Sequence, residues 1–181
     1  LQYMSQTIED FRSFFKPDKE KEYFDLVVVF NQAYKILKDN LESNNIKLSL
    51  FRTVDAVSHG YPNEFAQVIM NLIANARDIM IEKKIKQPRI EVHLEKDEKN
   101  VYCKVKDNGG GVPEEIISKI FDPYFSTKFN AQGTGMGLYM SKIIIENNMQ
   151  GMLSVANSDE GAVFTIQLQR HIMPQNDEKL E

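Results

Sequence analysis

Cysteine is nearly absent from the 181 residues: Cys103 is the single one. A disulfide framework and a cysteine-ligated zinc site are thereby excluded, and a reducing compartment is expected. No apolar run approaches the roughly 18 residues of a membrane span, and no signal-peptide pattern opens the chain. Positive charge is not in excess. The 22 Lys and Arg stand against 26 Asp and Glu, a net charge of −4, which argues against nucleic acid as the main partner. No methionine starts the chain at Leu1, so a piece of a longer protein is expected. What is present is ordinary for a globular protein: 42% hydrophobic and 27% charged residues. That length suits one domain with a short appendage, large enough to bury about two-thirds of its unfolded surface without covalent staples.

The nine glycines are unevenly spread. Gly109, Gly110 and Gly111 form one cluster, and Gly133, Gly135 and Gly137 another, so backbone is expected to approach something closely at two places. The intervening pattern is mixed. Leu1, Met4, Ile8, Phe11 and Phe15 follow a heptad seam that Lys16-Pro17-Asp18 stops. This reads either as an amphipathic helix on its own domain or as the end of a dimerising hairpin. After a linker at 17–23, residues 27–43 read as a helix with Val28, Ala33, Ile36, Leu37 and Leu41 as its apolar side. Residues 46–50 alternate as a strand, and Pro62 opens a long helix to about Lys84. Residues 89–95 and 101–107 alternate as strands, 137–148 reads as a helix, and 152–155 and 162–168 read as closing strands. The order predicts an α+β sandwich, a mixed and mostly antiparallel sheet covered by helices on one face, plus a short N-terminal helix.

Three segments carry chemistry. On the long helix, Glu64, Gln67, Asn71, Asn75 and Asp78 fall within an arc of roughly 80° beside the apolar face. Asparagine is a mediocre helix former, and each carboxamide offers a neutral oxygen and an amide donor. That suits a hydrated magnesium ion carrying phosphates, although a solvated stripe is the plainer reading. Next, Val101, Cys103, Val105 and Asp107 share the inward face of one strand. Asp107 therefore needs a partner, and the glycines that follow open the turn wall. A carboxylate there is able either to accept from an exocyclic amine such as adenine's or simply to cap the turn. Last, Gly133-Thr134-Gly135-Met136-Gly137-Leu138 leads into a helix and leaves amides free for an anion. It is neither a GK[ST] phosphate loop nor a dinucleotide fingerprint, since no lysine follows and no strand precedes it. Between these lie Phe121, Phe125 and Lys128, then a polar stretch, Asn130 to Gln132, that reads as a lid.

The order Asn-x-x-x-Asn, Asp-x-Gly-x-Gly, Phe-x-x-x-Phe, Gly-x-Gly-x-Gly is far more specific than any of its members. Over about residues 24–169 it resembles the N, G1, F and G2 boxes of the ATP-binding domain of sensor histidine kinases, in the superfamily that includes gyrase. The resemblance implies a Bergerat-type α/β sandwich binding ATP and Mg²⁺. By the same resemblance, Asn75 is the metal ligand, Asn71 the first polar residue of its box, and Arg77 and Asp78 lie near the phosphates. Asp107 reads the adenine amino group, with Gly109 and Gly111 shaping the pocket. Phe121 and Phe125 stand for the F box, Lys128 touches phosphate, and Gly133, Thr134, Gly135, Gly137 and Leu138 form the phosphate-holding turn.

Residues 1–16 resemble the end of a dimerisation helix, and 170–181 a C-terminal tail. Implied partners are the dimerisation and phosphoacceptor helices of a homodimeric parent and, through it, a response regulator, with a cytoplasmic location and membrane anchoring left open. The acceptor histidine of the family sits on a helix. His59 precedes a Gly-Tyr-Pro turn, His93 faces outward on a strand, and His171 lies in the tail. All three read as surface residues, so the chain is expected to bind ATP without phosphorylating itself. Two other readings remain: an anti-sigma-type serine kinase of the same fold, and a nucleotide-gated interaction module.

Overall fold

The computed structural model describes residues 20–53, 55–127 and 135–174. The chain runs β1 (Glu22–Asp25), α1 (Leu26–Ser43), β2 (Lys47–Arg52), β3 (Val57–Gly60), α2 (Pro62–Glu82), β4 (Arg89–Lys96), β5 (Asn100–Asp107), α3 (Glu114–Ile117), α4 (Gly137–Ile143, continued by a π turn over Ile144–Asn148), β6 (Met152–Asn157) and β7 (Ala162–Gln169). The expected N-terminal helix, Lys128, the lid stretch, Gly133 and Thr134 lie outside the described residues.

Strict alternation builds the main sheet. Along β4, Ile90, Val92 and Leu94 are buried, while Glu91, His93 and Glu95 keep partial exposure on the other face. β5 does the same with Val101, Cys103 and Val105 inward, the period-2 signature of a sheet with one face covered. Five strands pair in the order β2-β4-β5-β7-β6. Only β2–β4 is parallel. The mixed, mostly antiparallel sheet read from the sequence is thus the one observed.

Helices α1 and α2 cover the inner face. Asp25 caps α1, its carboxylate accepting the Val27 N–H at 2.7 Å, and Pro62 occupies the first turn of α2, where a missing N–H costs nothing. The α2 core stripe of Phe65, Val68, Ile69, Leu72 and Ile73 is buried. Each such side chain contributes about 1.5–3 kcal/mol of burial.

Several expectations are corrected. Val28, expected on the apolar side of α1, is 56% exposed, while Leu26, Val27, Val29 and Phe30 are buried. In a run of five apolar residues the period does not say which one faces out. Residues 22–25 and 57–60 form a two-stranded antiparallel ribbon, so Glu22 and Tyr23 leave the expected linker and His59 is on a strand rather than at a turn. The histidines are half-buried rather than free on the surface. The His59 ring packs tilted against Tyr23, centroids 4.4 Å apart, and lies 5.7 Å from the His171 ring. The His171 N–H donates to Val57 O at 2.8 Å, so the start of the expected tail is tied to the fold.

Candidate nucleotide-binding site

Strand β5 ends on Asp107, which is 5% exposed. Its Oδ1 accepts two backbone N–H groups, from Gly109 at 2.7 Å and Ala162 at 3.3 Å. Burial pushes the carboxyl up from its ordinary value, and the two N–H groups and the Lys83 ammonium oppose that shift. Its Oδ2 has no hydrogen-bond partner among the described residues. Gly161, before β7, is required by contact: a Cβ there would stand 2.5 Å from Asp107 Oδ1.

Asp107 lines a cavity of about 380 Å³. Asn71, Asn75, Asp78, Ile79 and Glu82 of α2 form one wall. Val112, Pro113, Ile116, Ile120, Phe125 and Phe164 form the apolar wall opposite, and Gly135, Gly137 and Leu138 close it at the start of α4. The carboxamide helix, the first glycine turn and the second, separated by up to 66 residues of sequence between Asn71 and Gly137, therefore meet at one space.

The polar stripe of α2 divides. Near its start, Glu64 Oε2 accepts from Asn148 Nδ2 at 2.8 Å, and Asn71 Nδ2 donates to the buried Ser141 Oγ at 3.0 Å. These ties fix α4 and its π turn against α2. One turn later the Asn75 side chain makes no hydrogen bond among the described residues. Asn75, Asp78 and Glu82 line the cavity. Gly137 fits against this junction, because a Cβ there would lie 2.5 Å from Asn71 Oδ1.

Three expected site residues do not line the cavity. Arg77 turns to Asp78 Oδ1, at 2.8 Å from Nε and 2.6 Å from Nη2, and to Asn40 Oδ1 at 2.8 Å. Phe121 packs edge-on to Phe164, ring centroids 6.4 Å apart, beneath the Lys142 ammonium. Gly109 lies behind Asp107, where a Cβ would meet Ile79 at 2.9 Å. The sequence reading also missed residues. Glu82, Ser126, Thr127 and Phe164 line the cavity. Lys83 donates to Gly109 O at 2.7 Å. Asn157 holds Val112 as a second strand would, Oδ1 accepting its N–H at 2.8 Å and Nδ2 donating to its carbonyl at 2.7 Å. Only the Ser126-Thr127 pair, beside Lys128, carried a local signal.

Among the described residues no group of three His, Cys, Asp or Glu side chains could hold a metal ion. The cavity nevertheless offers hard oxygen donors in Asn75 and Asp78, which fit a cation that takes few protein ligands and keeps its remaining positions for water and phosphate.

Residues 60–172 match the family model described as histidine kinase-, DNA gyrase B-, and HSP90-like ATPase. The chain belongs to that family. An ATP-binding site is the family's common property, and the described fold is that of the catalytic domain of sensor histidine kinases. The catalytic domain of histidine kinase ThkA, solved nucleotide-free, superposes with a TM-score of 0.74 at 29% identity, over 83% of this chain and 96% of that one. A second ThkA structure, in complex with the response regulator protein TrrA, shares the fold at 23% identity and a TM-score of 0.70, over 94% of this chain and 49% of that one. Among curated relatives of this ATPase, the two-component sensor PprA of Pseudomonas aeruginosa is 35% identical over 149 residues, 80% of this chain and 16% of PprA. Sporulation kinase A of Bacillus subtilis is 32% identical over 148 residues, 81% of this chain and 23% of that kinase. The chain thus spans less than a quarter of the length of either curated relative.

Proposed function

We propose that this ATPase-family chain carries the catalytic step of a two-component sensor: transfer of the ATP γ-phosphoryl group to a histidine on a dimerisation helix. The observation that carries the proposal is Asp107. One carboxylate oxygen is saturated by two backbone amides, which leaves the other to accept the exocyclic N–H of adenine at the end of a largely apolar slot. Guanine presents a carbonyl oxygen at that position and meets a carboxylate instead of a donor, so the pocket selects adenine.

The base lies against Ile79, Val112, Ile116 and Phe164, and the triphosphate extends toward Asn75 and the glycine turn at 133–137. Asn75 and Asp78 would hold Mg²⁺, whose charge neutralises the phosphates. Phosphoryl transfer needs little covalent chemistry from the protein. It depends on positioning and charge neutralisation, and both are what the α2 wall and the second glycine turn would supply in this reading. Thr134 and Lys128 complete the phosphate end in this reading.

The nucleophile comes from outside this chain. His59 and His93 sit on strands and His171 bridges to one, whereas the acceptor of this reaction class is helical. The parent is proposed as a cytoplasmic-facing homodimer whose dimerisation helices end in residues 1–16, passing phosphate to a response regulator. The solved ThkA–TrrA complex supports that partner class.

Calorimetry with ATP and GTP, with and without magnesium, tests the pocket on the wild type and on Asp107→Ala and Asn75→Ala. Loss of adenine selectivity in the first and of magnesium dependence in the second is expected; unchanged binding in both rejects the assignment. Adding a dimerisation-helix polypeptide and γ-labelled ATP tests the transfer. Label on its histidine is expected, and label on the chain alone contradicts the proposal.

A further inference from the structure

Beyond the residues that line the cavity, we propose that Lys83 is a positioning residue for adenine recognition, holding the first glycine turn and, through it, the orientation of the Asp107 carboxylate. The inference rests on the reading of Asp107 given above.

Lys83 is the first residue beyond α2, its backbone N–H closing the helix on Ile79 O at 2.9 Å. The residue is exposed, as a lysine ordinarily is. Its ammonium nevertheless reaches back across the mouth of the turn and donates to Gly109 O at 2.7 Å. Gly109 is the residue whose N–H donates to Asp107 Oδ1. Ammonium, Gly109 and carboxylate therefore form one chain of contacts that runs from the end of α2 to the base-reading side chain, ending on the oxygen that the backbone amides hold. The turn is also held by Gly110 N–H donating to Glu160 O at 2.9 Å and, at its start, by Asn108, whose Oδ1 accepts the Arg89 N–H at 2.9 Å and whose Nδ2 donates to Gln87 O at 2.8 Å. Gly110 has φ +86°, and a Cβ there would meet Lys83 Nζ at 3.3 Å, so the turn passes directly under the ammonium.

Two consequences follow. The ammonium ties the glycine turn to α2, the helix that bears Asn75 and Asp78, so the base end and the phosphate end of the cavity share one rigid element. Its positive charge also favours the ionised form of Asp107, the form that accepts from adenine, against the burial that opposes it. Lys83 is distinct from the lysine expected at the phosphates, since its contact is at the base end.

The test uses the whole chain with Lys83→Met, Lys83→Arg and Asp107→Asn. The Asp107 carboxyl carbon is titrated by NMR without nucleotide, and ATP, ADP and adenosine binding are measured between about pH 4 and 8. In Lys83→Met the Asp107 midpoint is expected to move up, and the affinity for all three ligands to fall by a similar factor of about three to ten. Lys83→Arg is expected to restore both, because a guanidinium keeps the charge and the donor. A Lys83→Met titration and binding profile that superpose on the wild type overturn the inference. So does a loss confined to ATP and ADP, which would make Lys83 a phosphate contact. If Asp107→Asn leaves ATP affinity and selectivity unchanged, the reading of Asp107 itself fails. If Asp107→Asn abolishes binding while Lys83→Met changes nothing, only the role of Lys83 fails.

Discussion

Asn71 and Asn75 are the same residue type on the same face of the same helix, one turn apart, and the fold uses them differently. Asn71 donates to a buried serine on α4 and stands against Gly137. Asn75 makes no side-chain hydrogen bond among the described residues and lines the cavity. The division extends along α2: Glu64, toward its start, is tied to Asn148, and Glu82, at its end, opens on the cavity. A polar stripe is therefore not one functional unit. Half of it holds the helix that follows the second glycine turn, and the other half lines the cavity.

The contrast is broken most directly by Asn75→Ala. Expected is a loss of magnesium-dependent phosphoryl transfer of at least about a hundredfold, with the melting temperature unchanged. A comparable drop in stability would erase the distinction from Asn71.

The base end sharpens the contrast through pH. The folded-state pKa of Asp107 is raised, so its contribution to stability is fully present below the unfolded value of about 3.9 and is lost as pH rises through the folded value. Ionised Asp107 thus costs stability at neutral pH, as a buried charge kept for binding should. Asp107→Asn is expected to hold or raise the melting temperature at neutral pH and to flatten this part of its pH dependence. The same change removes ATP binding, because an amide N–H₂ at the open position faces another donor. In the wild type, ATP affinity should fall on acidification at a pH above that of an ordinary aspartate. Thermal melts and calorimetry across the carboxylate range decide both.

Asn71→Ala should act in the opposite sense to Asn75→Ala. It strands the hydroxyl of Ser141, which is 2% exposed, and a loss of about 1–3 kcal/mol is expected in chemical denaturation. Its effect on magnesium dependence should be small. Glu64→Ala is the mildest change. It removes a partly buried bond to Asn148 for about 0.5–1 kcal/mol, leaving nucleotide affinity intact. A larger effect of Glu64→Ala on ATP than on stability would show that the stripe does not divide where the hydrogen bonds say it does.

Legibility followed the same local-versus-distant line. β4, β5 and β7 were legible because alternation is written within eight residues and one covered face enforces it. The ribbon of β1 and β3 was not, since each strand has four residues and its partner lies over thirty residues away. The outward turn of Val28 was hidden within an unbroken apolar run. At the site, Asp107 and the glycine clusters announced themselves by position on a strand end and by composition. Lys83, Asn157 and Gly161 did not, because a surface lysine, an asparagine at a strand end and a turn glycine acquire meaning only from partners 26, 45 and 54 residues away in sequence.

By itself the sequence determined the alternation that makes the sheet, the amphipathic stripe that makes α2, and the set of residue types able to take a nucleotide. Those features are local, fixed by backbone geometry and side-chain period. Tertiary structure alone decided which carboxamide bonds to α4, which oxygen of Asp107 the backbone amides hold and which lysine reaches the glycine turn. Each of those choices is a competition among hydrogen-bonding partners, and it is settled only when packing brings distant segments within about 3 Å of one another.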